Sequence, residues 1–300
     1  MRRLLPLFLF ACAVPEAPPA EDPRTCDAGA EKIGVLTSVV FARPDEHGQI
    51  AGFDLDHDAT GFGGIGGCGV TDDVSPDGVA GIDSVFARLL PALELTEAQA
   101  VEEIMQELIN SGQILILWDL HGLDDLSSDS CATVELLRGQ DAPLIGGRGF
   151  INPGQTFDVL AGFTPIDAGE VTVQDGTFQA SGFDFDLPFS FLGTFIDFVL
   201  HDAVIQVTLQ PDGTFTGMLG GGIVLEDVFR VASENNIDPA IVGLLQNLVV
   251  PIADLAPDES GKCTQISVTL AFHGVPAFLY ETPAPEADDS DSPTALDTDL

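Results

Sequence analysis

The chain has 300 residues, 45% of them hydrophobic, with 48 acidic residues against ten basic ones. That length and apolar content can bury one large core or two small ones, and they exclude a chain disordered throughout. Beyond the first eleven positions the basic residues are Arg24, Lys32, Arg43, Arg88, Arg138, Arg148, Arg230 and Lys262, each standing singly, which excludes the basic patch that nucleic-acid binding requires.

Arg2, Arg3 and the apolar run Leu4 to Ala11 have the order of a secretory signal, a basic stretch followed by a short apolar one. Leu9-Phe10-Ala11-Cys12 resembles the lipobox of bacterial lipoproteins, in which a small residue precedes the cysteine that carries the lipid. The resemblance implies a signal peptide over residues 1–11 and a diacylglyceryl group on Cys12. It also implies a place outside the cytoplasm, at the bacterial outer membrane or cell surface, with the membrane as partner through that lipid. Residues 12–31 mix Pro15, Pro18, Pro19 and Pro23 with acids and read as a tether. The globular part then spans residues 32–280, and the acidic, proline-containing residues 281–300 read as a disordered tail. Leu187 to Leu200, the longest later apolar run, contains Asp197 and is too short for a spanning helix, which needs about 20 residues.

Alternation with period two dominates the globular part. Strands are predicted at Ile33–Phe41, Gln49–Leu55, Gln113–Leu120, Thr133–Leu137, Glu170–Val173 and Thr177–Phe185. Ile205, Val207 and Leu209 alternate with polar residues, Pro211-Asp212-Gly213 makes a turn, and Thr214–Leu219 returns, which defines a hairpin. Thr264–His273 alternates in the same manner. Two stretches have helical spacing instead. The first pairs Ile82–Leu90, broken at Pro91, with a helix capped at Thr96 and stopped at Gly112. The second pairs Leu225–Ala232 with Asp238–Leu255, where Asp238 suits the N-cap, Leu244, Leu245, Leu248 and Ile252 face inward, and Pro251 ends or kinks the helix. Runs of strands with two helical insertions predict a mainly β, antiparallel, sandwich-like domain.

With Cys12 assigned to lipid, Cys26, Cys68, Cys131 and Cys263 make an even set in an exported chain and predict two disulfides. Cys131 and Cys263 both open predicted strands, which favours Cys131 with Cys263 and Cys26 with Cys68.

Asp54-Leu55-Asp56-His57-Asp58 places three carboxylates at alternate positions, and Asp72, Asp73, Asp77 and Asp83 follow through a glycine-rich stretch. Calcium takes six to eight oxygens from a loop free to wrap it, so this segment is the candidate metal site. Asp54, Asp56 and Asp58 are its core, completed by Asp77 or Asp83. The triplet resembles the start of calcium loops of the EF-hand and thrombospondin type 3 families. It departs from the EF-hand at Ala59, where glycine is needed, and at Ile65, where the bidentate Glu is needed. The competing reading is a solvated acidic loop held by Cys68. Two G-x-G-x-x-G matches, from Gly61 and from Gly64, are not followed by a helix, and the surrounding carboxylates would repel a pyrophosphate.

No nucleophile elbow, zinc-protease motif or Walker loop occurs. Asp119, Glu135, Asp184 and Asp186 lie in or beside predicted strands, where paired carboxylates can hydrolyse a glycosidic bond if they converge in a cleft. Asp119 and His121 share a strand face beside Trp118, the sole tryptophan. Twenty phenylalanines against one Trp and one Tyr suit a core better than a sugar platform. The reading that follows is an exported, lipid-anchored protein with a non-enzymatic binding or structural role, calcium-stabilised, its protein or carbohydrate partner open. The alternative is a secreted polysaccharide hydrolase.

Overall fold

The computed structural model describes Cys26 and residues 29–280, apart from 62–63, 65–66, 94–100, 192–193 and 235–237. The signal, Cys12, the cap at Thr96 and the tail fall outside the described residues. The elements are β1 (Ala30–Phe41), β2 (Asp73–Val74), β3 (Ala80–Ile82), α1 (Val85–Leu93), α2 (Val101–Asn110), β4 (Ile116–Leu123), β5 (Ser128–Gln140), β6 (Gln155–Val159), β7 (Ile166–Gln174), β8 (Thr177–Phe191), β9 (Thr194–Leu209), β10 (Phe215–Val224), α3 (Leu225–Glu234), α4 (Pro239–Val249), β11 (Leu255–Pro257) and β12 (Cys263–Leu279).

The fold is mainly β, as the alternation predicts, but it is a barrel rather than a sandwich. Eight strands pair in the order β1-β4-β5-β7-β8-β9-β10-β12, and β12 pairs back onto β1, every ladder antiparallel. Closure removes the open edges that two stacked sheets keep. Between β7 and β8, Asp175 and Gly176 both take positive φ and form a two-residue turn that matches strand twist. A second closure uses β6, which pairs antiparallel with β5 and parallel with β12. The strands β12, β1, β4 and β5 are therefore shared by the eight-stranded ring and by a smaller ring completed by β6.

The larger ring is filled with side chains. Trp118 on β4 meets Phe178 on β8 at 6.0 Å and Phe215 on β10 at 5.0 Å between ring centroids, and Phe215 meets Phe272 on β12 at 6.3 Å, all edge-on. Because these strands are not all neighbours, the rings must point into the barrel. Space for them comes from small residues: a Cβ on Gly34 would fall 2.4 Å from Phe215 and 2.5 Å from Trp118, and one on Gly274 would fall 1.9 Å from Phe215. Leu117 and Asp119, on the opposite face of β4, are also buried, so both faces of the shared sheet are covered. Helix α2 touches both β1 and β8, which lie diametrically opposite in the ring, and so crosses one mouth of the barrel with Met105, Leu108 and Ile109 buried. The Glu102 carboxylate fixes it there by accepting from the Phe41 N–H at 2.7 Å and from both terminal nitrogens of Arg43.

Over the described side chains of β7 and β8 the outward face of the larger ring is polar. On β7 and β8, Val171, Val173, Phe178, Ala180, Phe183 and Phe185 are buried, whereas Glu170, Thr172, Gln174, Gln179, Asp184 and Asp186 are exposed. A lipid-spanning barrel has the reverse pattern. Among the described residues, no helix is long and apolar enough to cross a membrane.

The helices lie where their spacing puts them, with two local differences. Helix α1 continues through Pro91 to Leu93, because a proline so near the C-terminus disturbs only the last turn. In α4, Asp238 caps the N-terminus by accepting from Ala240 N–H, Pro239 follows it, and a 3-10 turn containing Pro251 ends the helix. Leu244 and Leu248 are nevertheless exposed. Among the described side chains, Val249 and the following Ala253 pack with Leu225, Cys263 and Ile266, and the side chain of Leu245 lies outside the described residues.

Both disulfides form, with Cys26 joined to Cys131 and Cys68 to Cys263. The favoured pairing of Cys131 with Cys263 is impossible in this topology. Three successive antiparallel ladders separate β5 from β12, so the two strands run in opposite directions and start at opposite ends of the barrel.

Candidate cation centre

The segment between β1 and α1 leaves the barrel, forms the small β2–β3 hairpin and returns. Gln49–Leu55 is not a strand within it, and only Phe53 makes a single bridge, to Asp83. The reason is local: the Asp83 carboxylate takes the Leu55 N–H at 2.7 Å and the Asp56 N–H at 3.3 Å, claiming backbone donors that a ladder would use. Thr60 and Asp72 clamp the far side, with Asp72 N–H donating to the Thr60 carbonyl at 3.0 Å and Thr60 N–H donating to the Asp72 carboxylate. Cys68, joined to Cys263 at the start of β12, fastens the glycine-rich part of the loop to the barrel.

This framework brings Asp54, Asp56 and Asp83 together, with one carboxylate oxygen from each lying within 4.8 Å of the others. Oxygens bound to one calcium at about 2.3–2.6 Å can be at most about 5 Å apart, so the spacing fits a shared hard cation. In the same three residues, Asp54 Oδ1 and Asp83 Oδ1 are buried and accept no hydrogen bond, and Thr60 Oγ1 is in the same condition. Asp83 is only 1% exposed. Burial, assisted by the charges of Asp56 and Asp254 and opposed by the Leu55 N–H, pushes its carboxyl up to about 8. Asp56 is raised first by burial and then by its acidic neighbours Asp54 and Asp58, and Asp72 by burial and by Asp56 and Asp54. A cation among them would satisfy the unpaired oxygens and offset that repulsion.

The remaining predicted ligands stand elsewhere. Asp58 is exposed, and its backbone N–H donates to Asp56 at 2.9 Å. Asp77 is exposed on the turn between Ser75 and Gly78. Asp72 joins the group electrostatically instead. Its place could not be read from spacing, because the Thr60 clamp sets it. The four carboxylates of the hydrolase alternative do not all converge. Asp119 and Glu135 are register partners on β4 and β5, whereas Asp184 on β8 pairs with His201 on β9 at 3.2 Å. Trp118 is 3% exposed and packs in the barrel, so it offers no sugar platform. Comparison with family models, with curated proteins and with solved structures finds no match to this chain.

Proposed function

We propose that this chain is an exported, lipid-anchored protein of the bacterial outer membrane or cell surface, with a non-enzymatic binding or structural role and a calcium ion closing its acidic loop. The observation that carries the calcium reading is the pair of buried, unpartnered carboxylate oxygens on Asp54 and Asp83 beside Asp56. Oxygen ligands on a backbone loop are what calcium selects, and the neighbouring acids supply the charge that raises affinity. Two disulfides suit an oxidising compartment, and the lipobox-like Leu9–Cys12 supplies the anchor. With side chains filling its interior and a polar outward face on the described parts of β7 and β8, the barrel serves as a rigid platform rather than as a container or a pore.

Thermal unfolding in calcium, compared with magnesium at equal ionic strength, tests the site. Calcium at 100 times its dissociation constant should stabilise the fold by about 2.7 kcal/mol. Magnesium should do far less, because it demands a smaller octahedral shell, and Asp56→Asn should lose most of the calcium response. Equal stabilisation by the two ions, or a variant that responds like wild type, would reduce the cluster to a solvated acidic loop.

A further inference from the structure

On the outer face of β1 and β4, away from the acidic loop, Glu31, Asp119 and His121 each offer one ligand atom within 4.8 Å of the others. The chain brings them together through a bulge. Ala30 faces Leu123 and Lys32 faces Leu120, so Glu31 stands opposite two residues, His121 and Gly122. Gly122 has φ of 77°, the left-handed conformation that lets the extra residue fit. His121 and Asp119 stand two apart on one face of β4, with Nε2 3.2 Å from Oδ2. Ligands at about 2.0–2.1 Å on a tetrahedral metal lie about 3.3 Å apart, so this separation is one that zinc coordination would require.

Asp119 is 3% exposed, and its Oδ1 is buried without a hydrogen-bond partner. Among the described residues, His121 is the basic group paired with it. A carboxyl buried this far, with one oxygen unused and carboxylates on both flanking strands, is a place that a cation would stabilise. The imidazole decides which kind, since a nitrogen ligand favours zinc and its transition-metal neighbours over calcium.

We propose that Glu31, Asp119 and His121 form a second metal site, for a borderline divalent transition metal of the zinc class, with Glu135 beside it. Three protein ligands leave a fourth position open, and the His121 side chain is 36% exposed, so solvent reaches the metal from that side.

The test is calorimetric titration of zinc alone into the full disulfide-bonded protein in saturating calcium, so that the acidic loop is already occupied. One zinc per chain should bind, and His121→Ala and Asp119→Asn should each weaken binding by at least about tenfold, since even outer partners of metal ligands cost that much. Cobalt in place of zinc should give the visible absorption of a low-coordinate site in wild type and lose it in both variants. Should Asp119→Asn fail to fold, His121→Gln, on a part-exposed side chain, tests the same claim. Three results would overturn the proposal: no stoichiometric zinc in calcium, equal zinc binding by the His121 variants, or zinc binding lost in Asp83→Asn and kept in His121→Ala. The first would leave Glu31 and Asp119 as carboxyls sharing a proton, and the last would place zinc in the acidic loop.

Discussion

Stripping calcium from the acidic loop should reveal a pH dependence set by Asp83. Its carboxyl is pushed to about 8 in the fold against 3.8 in the open chain. Between about pH 4 and pH 8 the folded state therefore keeps a proton that the unfolded state releases, and stability falls as pH rises through that window. One such proton corresponds to at most about 1.4 kcal/mol per pH unit, hence about 4 kcal/mol from pH 5 to pH 8. At about 2–4 °C per kcal/mol for a domain of this size, the melting temperature should fall by roughly 10 °C. Asp119, also near 8, and Asp254, near 6, titrate in the same direction, so the comparison must be with Asp83→Asn, which keeps an acceptor for the Leu55 and Asp56 N–H groups and has no proton to lose. Differential scanning calorimetry in chelator from about pH 5 to pH 9 should show a shallower fall for the variant. Calcium should oppose the trend in wild type, because it needs the ionised carboxyl, and its stabilising effect should be smallest at the acid end. Parallel pH profiles for wild type and Asp83→Asn, or calcium stabilisation that does not grow with pH, would refute the assignment of the unpaired charge to Asp83.

Non-reducing peptide mapping should recover the Cys26–Cys131 and Cys68–Cys263 peptides, and replacing Cys68 and Cys263 together by Ser should cost about 2–5 kcal/mol while weakening the calcium response; a Cys131–Cys263 peptide would contradict the barrel topology. Gly34→Ala pushes a methyl into Phe215 and Trp118 and should lower the urea midpoint by the equivalent of about 1–3 kcal/mol, whereas an unchanged midpoint would mean that the barrel centre is looser than its ring contacts imply. Mass spectrometry of the native protein should find a lipid-modified Cys12 at the N-terminus, and Cys12→Ser should leave the detergent phase; an unmodified terminus downstream of Cys12 rules out the anchor.

What the sequence reveals is what strand neighbours impose on one another. Ile266, Val268, Leu270 and Phe272 alternate with polar residues although Ser267 and Thr269 on the other face of β12 are buried too, and the hairpin of β9 and β10 is legible because its turn lies between its own strands. Ring closure has no such local mark, since β1 meets β12 across most of the chain and the alternation of a barrel strand matches that of a sandwich strand. The same distance hides Glu31, which reaches Asp119 only through the β1–β4 ladder, and hides the true partner of Cys131.

Both candidate centres occur where the backbone departs from regular pairing, and this is where sequence patterns say least. Asp83 sits at an isolated bridge whose neighbouring N–H groups its carboxylate has taken, and Asp119 sits near the bulge at which Glu31 faces His121 and Gly122. In each case a carboxylate is held dry by the barrel with an oxygen unused. The abundant acids elsewhere, such as Asp184 and Asp186 on the wall of β8, stay exposed. A count of Asp and Glu therefore cannot separate the two kinds. Burial without a hydrogen-bond partner does, because water satisfies an exposed carboxylate without cost, whereas a buried one requires a proton or a cation. The calcium and zinc titrations ask which of the two each centre takes.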